Sequence, residues 1–184
     1  MLAELNNLNA AEATSTQAAA AGKERIVLCG YCHGKDGNAV KPQVPNLAGQ
    51  NPEYLLTQFE HFKTGVRKDF VMSQLARDLT DPEKINIAIY FSKQQVINKP
   101  STNRPAIAKG EEHFQRICYA CHGRDGLGQN DRPRLAGQPE SYVVESLTRF
   151  KNKDIKRGNS VMLGIAPSLT DEEITDLAAY LSSL

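Results

Sequence analysis

The 184-residue sequence lacks three features that would each point to a class of protein. No segment approaches the roughly 20 consecutive apolar residues of a membrane-spanning helix, so we expect a soluble chain. The formal net charge is only +1, which leaves out the basic excess that is typical of nucleic-acid-binding proteins. No long stretch alternates between apolar and polar residues, and the pattern therefore predicts no confident β-strand.

Cysteine is also scarce, and its placement is informative. The chain has four cysteines, all within two pentapeptides, CGYCH and CYACH. CxxCH is the attachment motif of c-type haem, in which two thiols add to the porphyrin vinyl groups and the histidine becomes the proximal iron ligand. The motifs therefore predict two covalently bound haem c groups. The residues that would hold them are Cys29, Cys32 and His33 in the first motif and Cys118, Cys121 and His122 in the second.

Two other chemistries use paired cysteines. Four thiolates could ligate one zinc ion, but zinc leaves the two histidines unexplained, and Cys118 lies 89 residues after Cys29. A redox CxxC of the thioredoxin type needs a βαβ pattern around it, whereas the flanking segments here have a helical, polar pattern. Haem attachment accounts for the whole motif, and these alternatives account for part of it.

Methionine is scarcer still, with three residues including the first. Met72 lies 39 residues after His33, and Met162 lies 40 residues after His122. An isolated methionine is more often a core filler, but two at matched distances from two haem histidines predict the sixth iron ligands. The rival ligands are His61 and His113. These two histidines do not occupy equivalent positions in the two halves, and we interpret them as surface or structural residues.

The repeat extends well beyond the two cysteine motifs. NLAGQ, which begins at Asn46, matches RLAGQ, which begins at Arg134, and LTD recurs at Leu79 and Leu169. The offset between matches changes by only one or two residues, and small indels of this kind belong in surface loops. The sequence therefore predicts two copies of one domain of about 80 to 90 residues, near the lower end of domain sizes.

Both copies have the residue pattern of α-helices. Apolar residues recur at helical spacing after Pro52 and again after Pro139. TDPE, which begins at Thr80, and TDEE, which begins at Thr170, fit a capping box ahead of the last helix of each copy.

Each copy resembles a class I cytochrome c, with a first helix that ends in CxxCH, a middle helix, a loop methionine and a last helix. Two tandem copies with NLAGQ or RLAGQ, and with an arginine shortly before the methionine, resemble the dihaem cytochrome c4 family. The resemblance implies an all-α fold of two tandem class I cytochrome c domains. The expected boundaries are a flexible N-terminal arm at 1–20, domain 1 at 21–97, a linker at 98–105 and domain 2 at 106–184.

The same resemblance implies roles for four further residues. Pro45 and Pro133 match the proline whose carbonyl oxygen accepts a hydrogen bond from Nδ1 of the proximal histidine, a bond that fixes the ring and tunes the iron. Arg67 and Arg157 match a basic position near the haem propionates. The alternative for the two arginines is that they are solvated surface residues.

Residues 1–20 have no counterpart ahead of the second copy. The segment lacks the basic start and the apolar core of a signal peptide. Its composition predicts a flexible tail, or a marginal helix that carries Leu2, Leu5 and Leu8. A partner-binding arm is one role that would suit it.

The expected function is electron transfer. The resemblance and the predicted His–Met ligation imply a periplasmic carrier that shuttles single electrons between a donor complex and a terminal oxidase or reductase. Its partners would be redox proteins, with possible docking to a membrane complex, and with no nucleic acid or small-molecule substrate. One alternative is an electron-transfer subunit of a flavin- or metal-containing dehydrogenase. The other is a dihaem peroxidase, which would need a vacant sixth position at one haem.

Two segments bear on partners and on the domain arrangement. RFKNKDIKR, from Arg149 to Arg157, is either a solvated helix end or a docking patch for an acidic partner. The connection from Gln94 to Arg104 contains Pro100, which favours a stiff spacer over a flexible tether. We therefore expect the domains to pack with their haem edges facing each other, and the alternative is two independent domains on a string.

Overall fold

The computed structural model describes residues 1–154, 156–158 and 160–184. The regular elements in these ranges are helices. Two isolated β-bridges are also present, one between Arg67 and Arg157 and one between Gln129 and Arg132. The helices of the first half are α1 (Leu2–Ala10), α2 (Glu12–Arg25), α3 (Val27–His33), α4 (Pro52–Thr64), α5 (Phe70–Asp78) and α6 (Asp81–Ser92). Those of the second half are α7 (Arg104–His113), α8 (Tyr119–His122), α9 (Glu140–Lys151), α10 (Met162–Ile165) and α11 (Asp171–Ser183). The predicted all-α fold class is confirmed.

Two short elements interrupt the second half. A π-helical turn, Phe114–Cys118, joins α7 to α8, and a 3₁₀ turn, Ala166–Ser168, follows α10. Turns of the π type inside α-helices are frequent at functional sites. Here the turn ends on the first cysteine of the CYACH motif.

The first and last helices of each copy cross at a glycine. A Cβ built on Gly22 of α2 would collide with the Asn86 carbonyl of α6 and would lie 2.9 Å from Cβ of Tyr90. A Cβ built on Gly110 of α7 would collide with the Asp176 carbonyl of α11 in the same way. The missing side chain therefore allows the two backbones to touch, and this contact is repeated in both domains.

The predicted capping boxes are present at the start of α6 and of α11. The backbone N–H of Thr80 donates to the Glu83 carboxylate at 2.8 Å, and that of Thr170 donates to Glu173 at 2.8 Å. Each box satisfies N–H groups that the helix leaves without a partner. It thereby fixes where the last helix of each domain begins.

The start of the N-terminal segment is helical, which was the alternative to a flexible tail. Residues 2–10 form α1, and Leu5 is only 1% exposed because it packs into the core of domain 1. The physical reason is that a leucine placed against α4 and α6 removes apolar surface from water. Helix α2 also runs through the expected boundary at residue 20, and α7 begins at Arg104, inside the expected linker. The domain boundaries themselves stay predictions.

In the structure, the linker between the two copies is the segment 93–103 between α6 and α7, and it runs against both copies. A Cβ built on Gly137 would lie 2.5 Å from Cγ1 of Val96, and one built on Gly49 would lie 3.3 Å from Cγ2 of the same valine. The Asn98 side chain donates to the Leu184 carbonyl at 2.7 Å. Val96 therefore lies over the glycines of NLAGQ and RLAGQ together, which explains why both motifs have a glycine there.

The two domains exchange hydrogen bonds in a reciprocal pattern. The Asn46 N–H donates to Oε1 of Gln138 at 2.9 Å, and Nε2 of Gln138 donates back to the Asn46 carbonyl at 2.9 Å. The Arg134 N–H donates to Oε1 of Gln50 at 2.7 Å, and Nε2 of Gln50 donates back to the Arg134 carbonyl at 2.9 Å. Since Gln50 and Gln138 are equivalent residues of the repeat, the two domains face each other about an approximate twofold axis.

Within the described ranges, no helix is both long enough and apolar enough to cross a membrane.

Candidate functional site

Each CxxCH motif lies at the end of a helix that presents its functional groups on one face. Helix α3 carries Cys29, Cys32 and His33 at positions i, i+3 and i+4, which are neighbours on a helix surface. The helix ends at Gly34, whose φ of 76° lies in the left-handed region that favours glycine. Helix α8 ends in the same way at Gly123, also with a φ of 76°. Both motifs thus end at a glycine with the same conformation, although Cys118 lies in the π-helical turn ahead of α8.

The two histidines are buried and held by one hydrogen bond each. Nδ1 of His33 donates to the Pro45 carbonyl at 2.9 Å, and Nδ1 of His122 donates to the Pro133 carbonyl at 3.1 Å. Burial lowers the pKa of both imidazoles and so favours the neutral form. A neutral imidazole with its proton fixed on Nδ1 leaves the Nε2 lone pair available to a metal.

None of the four cysteines forms a disulfide bond, and burial raises the pKa of the Cys29 and Cys118 thiols. Among the described residues, no group of three or more His, Cys, Asp or Glu side chains could hold a metal ion. The described residues therefore provide no site for the zinc ion of the alternative interpretation. The thiols of each motif remain available for bonds to a porphyrin.

The two methionines lie in the first turn of a helix, but the helices differ. In domain 1, the Asp69 side chain caps α5 by accepting from the backbone N–H groups of Val71 at 3.0 Å and Met72 at 2.9 Å. In domain 2, Met162 begins the four-residue α10, and its N–H donates to Oγ of Ser160 at 3.3 Å. Met72 is half-buried against the core of domain 1. Their role as iron ligands stays a prediction.

The two arginines meet at the seam between the domains. Arg67 and Arg157 form a β-bridge, and each guanidinium lies 4.6 Å from the centroid of a phenylalanine ring of its own domain, Phe62 and Phe150. Arg157 is only 7% exposed. Its Nε is buried and, among the described residues, has no hydrogen-bond partner. This is not the environment of a solvated surface residue.

The unpartnered Nε of Arg157 tests whether the chain fits a haem. A buried donor on a permanent cation is costly unless an anion satisfies it. A haem carries two propionate groups, and a carboxylate forms strong, charge-assisted hydrogen bonds with a guanidinium group. The thiol pairs, the oriented imidazoles and this orphaned donor therefore fit the group that the motifs predict.

Two tyrosines complete the seam, and the sequence reasoning did not assign them a role. Burial opposes ionisation of Tyr142, but the charges of Arg67 and Arg157 outweigh it and lower the pKa of Tyr142 to about 7. Burial and the neighbouring phenol raise the pKa of Tyr54. The signal in the sequence is the repeat itself, since Tyr54 and Tyr142 stand 88 residues apart, as Gln50 and Gln138 do.

A helix that offers two thiols and an oriented imidazole, repeated in two all-helical domains, defines a tandem c-type cytochrome. Residues 107–184 match the family model described as Cytochrome c. Cytochrome c4 of Pseudomonas aeruginosa is 34% identical over 179 residues, which cover 90% of this chain and 88% of that protein. The chain belongs to the cytochrome c4 family, and its cofactors are two covalently bound haem c groups.

A solved structure and a second relative add to this comparison. The crystal structure of reduced recombinant cytochrome c4 from Pseudomonas stutzeri superposes with a TM-score of 0.82 at 31% identity, covering 90% of this chain and 98% of that one. A protein of Thiomonas intermedia named thiosulfate dehydrogenase electron acceptor is 29% identical, covering 89% of this chain and 82% of that one. The predicted family, fold class and electron-transfer function are confirmed.

Proposed function

We propose that this chain is a periplasmic carrier that takes single electrons from a donor complex and delivers them to a terminal oxidase or reductase. The observation that carries the proposal is the repeated site, in which a terminal helical turn offers two thiols and an imidazole fixed by a proline carbonyl. Each haem c, once bound, supplies a one-electron Fe(III)/Fe(II) couple.

The chain's own residues are arranged to hold that couple rather than to transform a substrate. His33 and His122 are the proposed proximal ligands, oriented by Pro45 and Pro133. Met72 and Met162 are the proposed sixth ligands, and thioether ligation raises the reduction potential. Because side chains of the chain would fill both axial positions, no position is left for a substrate. This supports a carrier over an enzyme.

The arginines have a proposed electrostatic role. Arg67 and Arg157 would neutralise propionate charge at the seam, where Arg157 has a buried N–H to offer. Because both cations lie at one seam, a change of charge at one haem would alter the electrostatic potential at the other. Such an interaction is less screened away from water.

A second candidate function is supported by a specific observation. Relatives at 29% and 27% identity are named thiosulfate dehydrogenase electron acceptor. The chain would then pass on electrons as the dedicated partner or subunit of a larger oxidoreductase. The dihaem peroxidase alternative has less support, since it requires one of the two matched methionines to be absent from the iron.

The proposed compartment and partners follow from the cofactor. Haem is normally attached to CxxCH outside the cytoplasm, which supports a periplasmic location. The partners would be a donor dehydrogenase or cytochrome complex and an acceptor oxidase or reductase.

Haem stoichiometry tests the proposal. Protein matured in a haem-attaching host should carry two haems by mass spectrometry and by the pyridine haemochrome assay. The double variant Cys29→Ala/Cys32→Ala should carry one, and Cys118→Ala/Cys121→Ala is the matched control that should retain the other. Reversible one-electron oxidation of each variant, without peroxidase turnover, is the expected result. Zinc in place of haem would refute the proposal.

A further inference from the structure

Helix α1 packs against a surface of domain 1 that includes α4, and we call this surface the seat of α1. Domain 2 has an equivalent surface on α9. In domain 1, Leu5 of α1 belongs to the same buried cluster as Leu56 of α4, and both are almost fully buried. A crevice beside this contact is lined by α1, by the first turn of α4 and by Asn130, which reaches over from domain 2. The seat of α1 thus combines the outer face of one middle helix with a loop of the opposite domain.

The internal repeat places the same features on α9. The offset of 88 residues makes Val144 the counterpart of Leu56, and Glu140 the counterpart of Pro52. No segment equivalent to α1 precedes domain 2, where the chain continues from the linker into α7. A groove of about 570 Å³ lies along this face of α9, and Gln43 of domain 1 reaches over it as Asn130 does over the first seat. Val144 is half-buried, whereas Leu56 under α1 is 2% exposed.

The side chains of the groove restrict what can occupy it. Glu145 pairs with Arg149 across one helical turn, so their charges offset each other. Glu140 lines the same groove and has no ion pair among the described residues. An occupant that resembles α1, with an apolar residue over Val144 and a cation beside Glu140, would complement both the shape and the charge. A second copy is a poorer occupant, because releasing its own α1 would expose Leu5.

We propose that the groove on α9 is a docking site for a short amphipathic helix of a redox partner protein, with an apolar side chain against Val144 and a lysine or arginine beside Glu140. The assignment of the partner as a redox protein rests on the proposed function. The site lets a partner bind at the domain seam by the same packing that the chain uses for its own first helix. It also gives the two otherwise similar domains different surfaces.

A synthetic peptide of residues 1–11 is the probe, because α1 is the helix that fits the equivalent seat. Added to the reduced dihaem protein, the peptide should shift backbone NMR signals of residues 140–149 and of Gln43. Val144→Glu should weaken this binding at least tenfold. Ile97→Glu is the matched control, since Ile97 is an exposed aliphatic residue of the linker. It should leave the binding unchanged.

A second peptide tests the charge. Asn9 of α1 lines the crevice beside Pro52, whose counterpart is Glu140. The peptide with Asn9→Lys should therefore bind more tightly than the native peptide, and Glu140→Gln should remove that gain. An equal affinity of both peptides would overturn the charge assignment.

Three results would overturn the docking site. One is the absence of saturable shifts up to millimolar peptide, and another is equal binding to the Val144→Glu variant. The third is sedimentation that shows a dimer abolished by Val144→Glu, since the occupant would then be a second copy of this chain. None of these measurements involves electron transfer, so their failure leaves the carrier function standing, while loss of haem from the parent would refute the carrier function alone.

Discussion

The hydrogen bond from a histidine Nδ1 to a proline carbonyl is the smallest unit of this site. It fixes the tautomer and the ring direction, and it raises the electron donation of the other nitrogen. Both domains have this bond, at 2.9 Å and 3.1 Å. The ligand on the opposite side of each iron is still a prediction, and two single substitutions address it.

Replacing either methionine should halve the signal of methionine ligation. The oxidised protein should have the weak near-infrared band of an iron–thioether bond, with intensity for two sites. Met72→Ala and Met162→Ala should each remove about half of it, since each variant retains one of the two bonds. If one substitution leaves the band intact, that methionine is a core filler and the peroxidase alternative gains support.

Lys84 is a buried charge found in only one of the two domains. Its side chain is 0% exposed and pairs with Glu60 at 2.8 Å and with Asp81 at 3.4 Å. Burial alone would lower the pKa of Lys84, but these two carboxylates outweigh it and raise that pKa. The counterpart in domain 2 is Ile174, which is equally buried. The fold therefore accepts either an apolar side chain or a paired cation at this position.

Removing the Glu60 carboxylate should lower the free energy of unfolding more than removing the Lys84 ammonium group. Glu60→Ala leaves a buried, partly compensated ammonium, and we expect a loss of about 3 kcal/mol in the free energy of unfolding. Lys84→Met is the matched control, and it should change that free energy by about 1 kcal/mol or less, or raise it. Guanidinium denaturation of the dihaem protein measures both. A larger loss for Lys84→Met than for Glu60→Ala would contradict this account.

Among the elements, the linker most clearly constrains the sequence, because it requires glycine at two positions that it passes. Val96 lies over Gly49 and Gly137, so the glycine of each LAGQ motif leaves room for the passing chain. Both glycines also have a positive φ, 61° and 73°, which a residue with a Cβ adopts at a cost. A glycine in a turn away from other chain segments would have only the second constraint.

Gly65 provides that comparison, since its φ is 79° and, apart from Gly65 and its chain neighbours, no heavy atom of the described residues lies within 4 Å of a Cβ built on it. Gly65→Ala should destabilise the protein by about 1–2 kcal/mol through backbone strain alone. Gly137→Ala should cost about 1–3 kcal/mol more, because the new methyl group displaces Val96. Thermal unfolding of the two variants tests this difference. Equal losses would mean that the linker moves aside freely.

At the scale of the whole molecule, the two domains share a reciprocal hydrogen-bonded interface. Gln50 and Gln138 each donate to and accept from the backbone of the opposite domain. Arg67 and Arg157 meet at the same seam, and the Lys68 N–H donates to the Lys156 carbonyl at 2.9 Å. We expect this interface to couple the two redox centres.

The redox curve of the parent should therefore differ from the sum of the two single-haem variants. Gln50→Ala/Gln138→Ala should bring the curve closer to that sum, because four hydrogen bonds that hold the domains together are lost. Gln17→Ala, at an exposed position of α2, is the control that should leave it unchanged. Spectroelectrochemical titration measures all of these curves. A parent curve equal to the sum would show that the haems do not interact.

The sequence by itself determined the cofactor motif, the repeat, the helical class and the two capping boxes. These features are local, since a CxxCH turn, a helical period and a Thr–Glu box each involve residues within a few positions of one another. Proximity along the chain is then enough to place the groups in space. The matched distances of Met72 and Met162 from the motifs came from the repeat in the same way.

Only the tertiary structure decided which distant residues meet. The packing of Leu5 on α4, the burial of Lys84 and the passage of Val96 between two glycines all depend on contacts between segments far apart in sequence. The seam of Arg67, Arg157, Tyr54 and Tyr142 is of the same kind, and its charges lower the pKa of Tyr142 to about 7. Burial and electrostatic interaction depend on how close residues are in space. Residues about 90 positions apart in sequence come close enough only when the two domains pack.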